Sequence, residues 1–375
     1  VTSFENFAEC PLRYYLRYGV DLKEREEFTF SPVNFGVVLH AVIREVCDEI
    51  KKNGESYYLI SEEKRREMVK RSVAAITDIY QNSILKDSSR NSFMIKRMED
   101  LADRTVWAMG EQLKCGDFVP FVFEHKFNME VGDGDRKQLM SGTIDRVDIC
   151  ENGTDVYVRI IDYKTGKKDF NIVKTYYGID IQLMVYMEAA MKLVAKMRPG
   201  KNVIPAGVFY YNISDPIVSA TTESAEEIED KIKGELRLKG MVNSDKDIAE
   251  KMDNTEGTSL NIPVSRKADG GFDSRRSKVM NTEQFNMLGR FVDVRAVDTA
   301  DRIAGGDIRR SPYKDGQFSS CDRCPYGAVC GFSVDLPGCN YRKLKKFDDE
   351  VLWNNIKEGV DENGKKMDTG AEERD

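Results

Sequence analysis

The 375 residues carry 57 Lys and Arg against 64 Asp and Glu, a formal net charge of −7, with 41% hydrophobic and 32% charged side chains. That balance suits a globular chain of one large domain or two ordinary ones and excludes collagen-like, low-complexity and membrane-spanning classes, since no apolar run approaches the roughly 18 residues a spanning helix needs. The acidic total also argues against a histone-like coat on nucleic acid, whose affinity comes mainly from phosphate neutralisation, while leaving room for a local basic site.

The opening VTSFENFAEC has neither a basic n-region nor an apolar h-region. No secretory signal is read, and a cytoplasmic location without membrane contact is expected. Val1 in place of Met, followed at once by structured-looking residues, suggests a portion of a longer polypeptide. Thr2 and Glu5 have capping-box spacing ahead of Phe4, Phe7 and Leu12, predicting a short helix interrupted near Cys10-Pro11. From about Val33 to Lys52, Leu39, Val42, Ile43, Val46, Cys47 and Ile50 recur at helical spacing, which predicts an amphipathic helix with Cys47 in the core. Residues 62–86 and 92–114 read as two further helices.

After Pro120 the pattern changes. Segments 120–131, 137–150 and 155–164 are β-branched and aromatic, separated by Gly132-Asp133-Gly134 and Asn152-Gly153. A helix over about 179–197 and a strand at 203–212 follow, so the middle of the chain reads β-β-β-α-β. Residues 220–280 are charged and poor in large apolar side chains, with one helix near 223–239, and are read as a surface insertion. A helix over about 282–304 precedes an irregular stretch carrying four cysteines, and residues 356–375 are expected to be a disordered tail, leaving 1–355 as one domain. No GxxxxGK[ST] phosphate loop occurs.

Two constellations carry chemistry. Taking Asn152-Gly153 as the turn, Glu151 faces Thr154 and Asp145 faces Ile160, which makes Asp145 the diagonal same-face neighbour of Asp162. Val156, Val158, Ile160, Asp162 and Lys164 share one face of their strand, so an apolar row ends in a carboxylate and an ammonium. Buried charges of this kind need partners, and a Mg²⁺ (or Mn²⁺) ion between Asp145 and Asp162 would supply one; a solvated Asp-Lys pair at a strand end is the alternative. His40 lies just off its helix's apolar stripe, with Gly36 one turn earlier leaving open space, and Gln182 and Tyr186 share a helix face at i, i+4. The second constellation is Cys10 with Cys321, Cys324 and Cys330. Four thiolates at this spacing could hold Zn²⁺ or an iron-sulfur cluster; Cys339 is a spare, and Cys115 and Cys150 receive no role.

The order His40, Asp145 in GTIDRVD, Asp162-Tyr163-Lys164 and Gln182 to Tyr186 resembles the PD-(D/E)XK nuclease superfamily in its RecB-like branch. The opening SFENFAECPLRYYLRYG, the one-plus-three cysteine pattern, GGFDSRRSKV and CDRCPYGAVCGF resemble the AddB-type nuclease domains of helicase-nucleases, over most of residues 2–355. The resemblance implies a restriction-endonuclease-like α/β core, a central mixed sheet flanked by helices, whose terminal segments are joined by a [4Fe-4S] cluster on Cys10, Cys321, Cys324 and Cys330. It further implies a Mg²⁺-dependent DNA exonuclease acting on single strands, on the 5′-terminated strand, during double-strand break resection, with an AddA-type subunit as partner. Asp145, Asp162 and His40 would hold the metal with the Tyr163 carbonyl, Lys164 would orient water or offset charge, and Gln182 and Tyr186 would position the phosphate. Glu124 is a further candidate, and Lys164, Lys167, Lys168 and Lys174 would guide the strand. The helicase-like region of the parent family is absent here, so nothing in the sequence supports ATP hydrolysis. A catalytically silent DNA-binding or scaffolding module of the same fold is the rival reading, against which the intact acids and Lys164 count.

Overall fold

The computed structural model describes residues 1–23, 32–79, 89–132, 134–219 and 224–371. Residues 80–86 of the expected second long helix, and Asp133 of the expected turn, lie outside these.

The chain enters through α1 (Thr2–Glu9), breaks at Cys10, whose backbone is extended, and restarts at Pro11 in α2 (Pro11–Tyr14), continued by a π-helical turn over Tyr15–Gly19. Proline fits the first helical position because its missing N–H would be unpaired there anyway. The expected capping box does not form: Thr2 lies within the helix, no side chain caps it, and Glu5 is used elsewhere. Three long helices follow, α3 (Pro32–Lys52), α4 (Glu62–Ile79) and α5 (Ser89–Lys114). They pack over one face of a six-stranded sheet, with Val38, Leu39, Val42, Ile43 and Val46 of α3 buried there.

The sheet runs β1 (Val119–Val131), β2 (Gln138–Asn152), β3 (Asp155–Lys164), β4 (Asn202–Asn212), β5 (Lys239–Asn243) and β6 (Val279–Met280), in spatial order of sequence. Neighbours pair antiparallel except β3 with β4 and β5 with β6, which are parallel. Between β3 and β4 come α6 (Ile172–Tyr176) and α7 (Gln182–Met197); a parallel pair needs such a crossover. Alternation along β3 divides its side chains: Tyr157, Ile161 and Tyr163 join the core under α3, while Val156, Val158 and Ile160 join the opposite core under α7.

The hairpin between β2 and β3 corrects the expected register. Asn152 pairs with Asp155 and Val147 with Ile160, so the two turn residues are Gly153 and Thr154. Gly153, at φ +60°, takes the first turn position, where glycine has no Cβ penalty, and Asn152 stays in the strand with its side-chain amide on Tyr157 Oη and Asp247.

Residues 220–280 are not a surface insertion. They contain α8 (Ala225–Glu235), β5, α9 (Lys246–Met252) and β6, and Leu236, Leu238, Val242, Ile248, Met252, Ile262 and Val264 are buried in the core under α3 to α5. Small clusters of apolar residues at strand and helix edges, too short for a periodic signal, do this. Beyond α10 (Thr282–Ala304), a small sheet of β7 (Tyr313–Asp315), β8 (Phe318–Ser319) and β9 (Arg342–Lys343) brackets the short α11 (Gly327–Cys330). The last helix, α12 (Asp349–Ala371), occupies the region expected to be disordered; Leu352 and Ile356 are buried in the same core as α7 and α10. No described helix is long and apolar enough to cross a membrane.

Candidate functional site

The site forms where β2 and β3 leave the hairpin and meet α3 from one layer and α7 from the other. Continuing the β2-β3 register by one residue sets Asp145 opposite Asp162, rather than diagonal to it as expected from the Asn-Gly turn. Asp145 is buried, and its Oδ2 accepts from the backbone N–H of Tyr163 at 2.6 Å. From α3, His40 Nδ1 lies 3.4 Å from Asp145 Oδ1 and 3.6 Å from Glu124 Oε1. One ligand atom from each of His40, Glu124 and Asp145 lies within 4.8 Å of the others, a grouping unique among the described residues in its capacity to hold a metal ion. Glu124 is also strained: its φ is +47° within β1, a region non-glycine residues rarely occupy and one that concentrates at functional sites. The space beside Gly36 faces Thr165, which a Cβ would meet at an ordinary 3.6 Å.

Asp162 stands outside that trio and is held by the other layer. Lys164 Nζ lies 2.6 Å from Asp162 Oδ2 and donates to Gln182 Oε1 at 3.0 Å. Gln182 Nε2 donates to Asp162 Oδ1 at 3.1 Å and to Tyr186 Oη at 2.9 Å. Tyr186 in turn packs edge-on against Phe127 above Gly142, where a Cβ would come within 2.9 Å of both rings. Glycine at 142 is therefore a close-approach requirement. Despite its nearness to Lys164, the buried Asp162 Oδ2 has no aligned hydrogen-bond donor. A carboxylate oxygen left open in this way suits a hard cation.

Electrostatics point the same way. Burial, reinforced by the charge of Asp145, pushes the Asp162 carboxyl up to about 7 in spite of Lys164. Burial works against a charge on His40, but its hydrogen bonds to Asp145 and Glu124, and their charges, raise it to about 10. The protein alone thus holds protons where carboxylates crowd, and a divalent cation at these oxygens and imidazole would take over that charge balance.

Beneath the site lies a charged group that sequence reading missed. Arg146 and Asp148, in the same GTIDRVD run, form a fully buried pair at 2.7 and 2.6 Å, and Arg159 Nε donates to Asp148 Oδ2 at 2.8 Å. Burial alone would raise Asp148, but the two guanidinium groups hold it below the usual carboxylate range. The available signal was the alternation of charge and β-branched residues along two neighbouring strands. Of the expected basic residues, Lys167 and Lys168 line a broad cleft running away from Lys164, while Lys168 is tied to Asp180 at 3.0 Å. Lys174 does not line that cleft; its ammonium is 3.9 Å from Asp315.

Far along the fold, Cys10, Cys321, Cys324 and Cys330 line one small cavity, closed by Leu12, Leu16, Tyr326 and Phe332. Phe332 N donates to Cys330 Sγ at 3.3 Å. Cys339 is buried outside this wall, and Cys47 and Cys150 are core residues. All eight cysteines are free thiols.

Residues 1–331 match the model of the PD-(D/E)XK nuclease superfamily. The chain is 33% identical over 379 aligned residues to an ATP-dependent helicase/deoxyribonuclease subunit from Thermoanaerobacter sp. (strain X514), covering 98% of this chain and 33% of that protein. It is 34% identical to the proteins of the same name from Caldanaerobacter subterraneus subsp. tengcongensis and Lachnoclostridium phytofermentans, in each case across 100% of this chain and 33% of the relative. The chain therefore spans about a third of the length of the curated relatives it matches. A helix, two strands and a helix carrying His40, Asp145, Asp162-Tyr163-Lys164 and Gln182-to-Tyr186, together with a family match over residues 1–331, lead to one conclusion: the chain belongs to the PD-(D/E)XK nuclease superfamily.

Proposed function

We propose that this chain is a metal-dependent deoxyribonuclease domain of a helicase-nuclease, hydrolysing phosphodiester bonds of single-stranded DNA ends in double-strand break repair. The observation that carries the reading is the convergence of Asp145, Asp162, Lys164 and Gln182 on one buried point, with an Asp162 oxygen lacking any aligned donor. Asp145, Asp162, His40 and Glu124, with the Tyr163 carbonyl, would hold Mg²⁺ or Mn²⁺. When bound, that ion polarises the phosphate and makes water more acidic. Lys164 then presents a compact cation to the water or to the charge that builds on the phosphate, and Gln182 keeps Lys164 and Asp162 in register. Tyr186, wedged on Phe127, faces the same amide and helps place the backbone of the strand.

The cleft leading from Lys164 supports a single strand as substrate. Its walls combine Lys96, Arg97, Lys167 and Arg276 with the exposed apolar side chains of Phe93 and Ile217, the mixture of charge for phosphates and flat surface for bases that sequence-tolerant binding uses. An AddA-type partner and a cytoplasmic setting follow from the relatives' designation as part of a helicase/deoxyribonuclease.

For the four thiols an iron-sulfur cluster is favoured over zinc. They surround one cavity, yet no three of them come within 4.8 Å of one another among the described residues. Thiolates about 2.3 Å from a single tetrahedral zinc would sit closer together than that. Cys10, Cys321, Cys324 and Cys330 would hold a [4Fe-4S] centre whose role is to join segments more than 300 positions apart.

The test is degradation of end-labelled single-stranded DNA with Mg²⁺ or Mn²⁺ and with EDTA, for the wild type and Asp162→Asn. Metal-dependent cleavage lost in the variant supports the proposal, and wild-type-level cleavage by Asp162→Asn refutes the site.

A further inference from the structure

Glu5 stands out among buried titratable groups that the reading above leaves unused. It lies in the middle of α1, and its carboxylate reaches the start of α7, where Oε1 accepts from the backbone N–H of Ile181 at 2.9 Å and of Gln182 at 3.1 Å. The helix needs this, because α7 has no side-chain cap of its own. The first N–H groups of any helix lack internal partners, and an anion there also meets the positive end of the helix dipole. Local sequence supplies no Ser, Thr, Asp or Asn at the cap position; the acceptor arrives from 176 residues upstream.

The residue so fixed is the hub of the site. Gln182 receives Lys164 and donates to Asp162 and Tyr186. The other end of α1 is bound to the C-terminal segment: Arg342 Nη2 donates to the carbonyls of Ala8 and Glu9, and Ser320 Oγ to that of Glu9, next to Cys10. We infer that Glu5 is a positioning residue for the nuclease centre, holding the backbone of Gln182 so that its carboxamide keeps Asp162 and Lys164 in place, and that α1 thereby links the thiol cavity to that centre. The inference rests on the nuclease reading for its catalytic consequence and on geometry alone for the link.

The experiment compares Glu5→Ala and Glu5→Gln with wild type in the intact protein carrying its metals. Glu5→Ala should lower kcat about 10- to 100-fold with KM for single-stranded DNA within about 3-fold, because displacement of a positioning group costs rate more than binding. Amide exchange at Ile181 and Gln182 should quicken in the same variant. Glu5→Gln keeps an acceptor oxygen of the same reach and should restore kcat to within about 3-fold of wild type and the slow exchange with it. A Glu5→Ala kcat within 2-fold of wild type, a Glu5→Gln protein as impaired as Glu5→Ala, or losses of kcat and binding in step with loss of iron would each overturn the inference. Absence of cleavage by the wild type would refute the nuclease reading by itself, and unchanged exchange at Ile181 and Gln182 in Glu5→Ala would still overturn the link.

Discussion

Replacing Asp162 by Asn should abolish cleavage and, in the metal-free protein, make the fold more stable at alkaline pH. The carboxyl is almost wholly buried, and its pKa stands near 7 where an unperturbed aspartic acid stands at 3.8. At about 1.4 kcal/mol per pH unit, that difference sets a ceiling of roughly 4 kcal/mol for ionising it in the folded state. Asn also loses the attraction of Lys164, so a gain of about 2–3 kcal/mol is expected. The sign follows from linkage. A raised carboxyl pKa contributes stability that is fully present below about 3.8 and is lost as pH rises through about 7, and Asn escapes that loss. His40, raised to about 10, also loses its contribution with rising pH, but does so in both proteins. For 375 residues the unfolding entropy is about 0.8 kcal/mol/K, so the gain amounts to about 3 °C. Calorimetry in EDTA from pH 4.5 to 8.5 would show the two melting curves converging at the acid end and Asp162→Asn higher at the alkaline end. Mg²⁺ should then raise Tm for the wild type much more than for the variant. An Asp162→Asn protein less stable than wild type by a constant margin at every pH would refute the reasoning.

Glu124→Gln removes one of two carboxylates that keep His40 protonated, so the imidazole should titrate below its value of about 10 and Mg²⁺ affinity should fall about 10-fold; an unmoved imidazole resonance by NMR would exclude Glu124 from the site. Asp148→Asn leaves Arg146 and Arg159 buried without their shared carboxylate and should cost about 3–5 kcal/mol in urea unfolding, whereas an unchanged midpoint would mean the pair is hydrated and unimportant. Cys10→Ser should remove the broad absorbance near 400 nm and the roughly four irons of anaerobically purified protein, and lower Tm. Stoichiometric zinc without iron in the wild type would refute the cluster.

Periodicity and turn chemistry made most elements legible from residues alone. The stripe from Leu39 to Ile50, the alternation from Val156 to Lys164 and the crossover helix carrying Gln182 and Tyr186 each report local exposure, which a one-dimensional pattern records directly. The same alternation put Asp162 and Lys164 on one face. Register was harder, because Asn152-Gly153 and Gly153-Thr154 both offer a turn, and only the positive φ of Gly153 beside a partnered Asn152 selects the second. Residues 236–264 look like surface, since their apolar side chains come singly and acquire burial only when β5 joins β4. Glu124, the Arg146-Asp148-Arg159 group and Glu5 owe their roles to partners on other elements. No periodicity marks a residue whose partner is 176 positions away, as Ile181 is from Glu5, because the contact is specified by packing of both core layers together rather than by either segment alone.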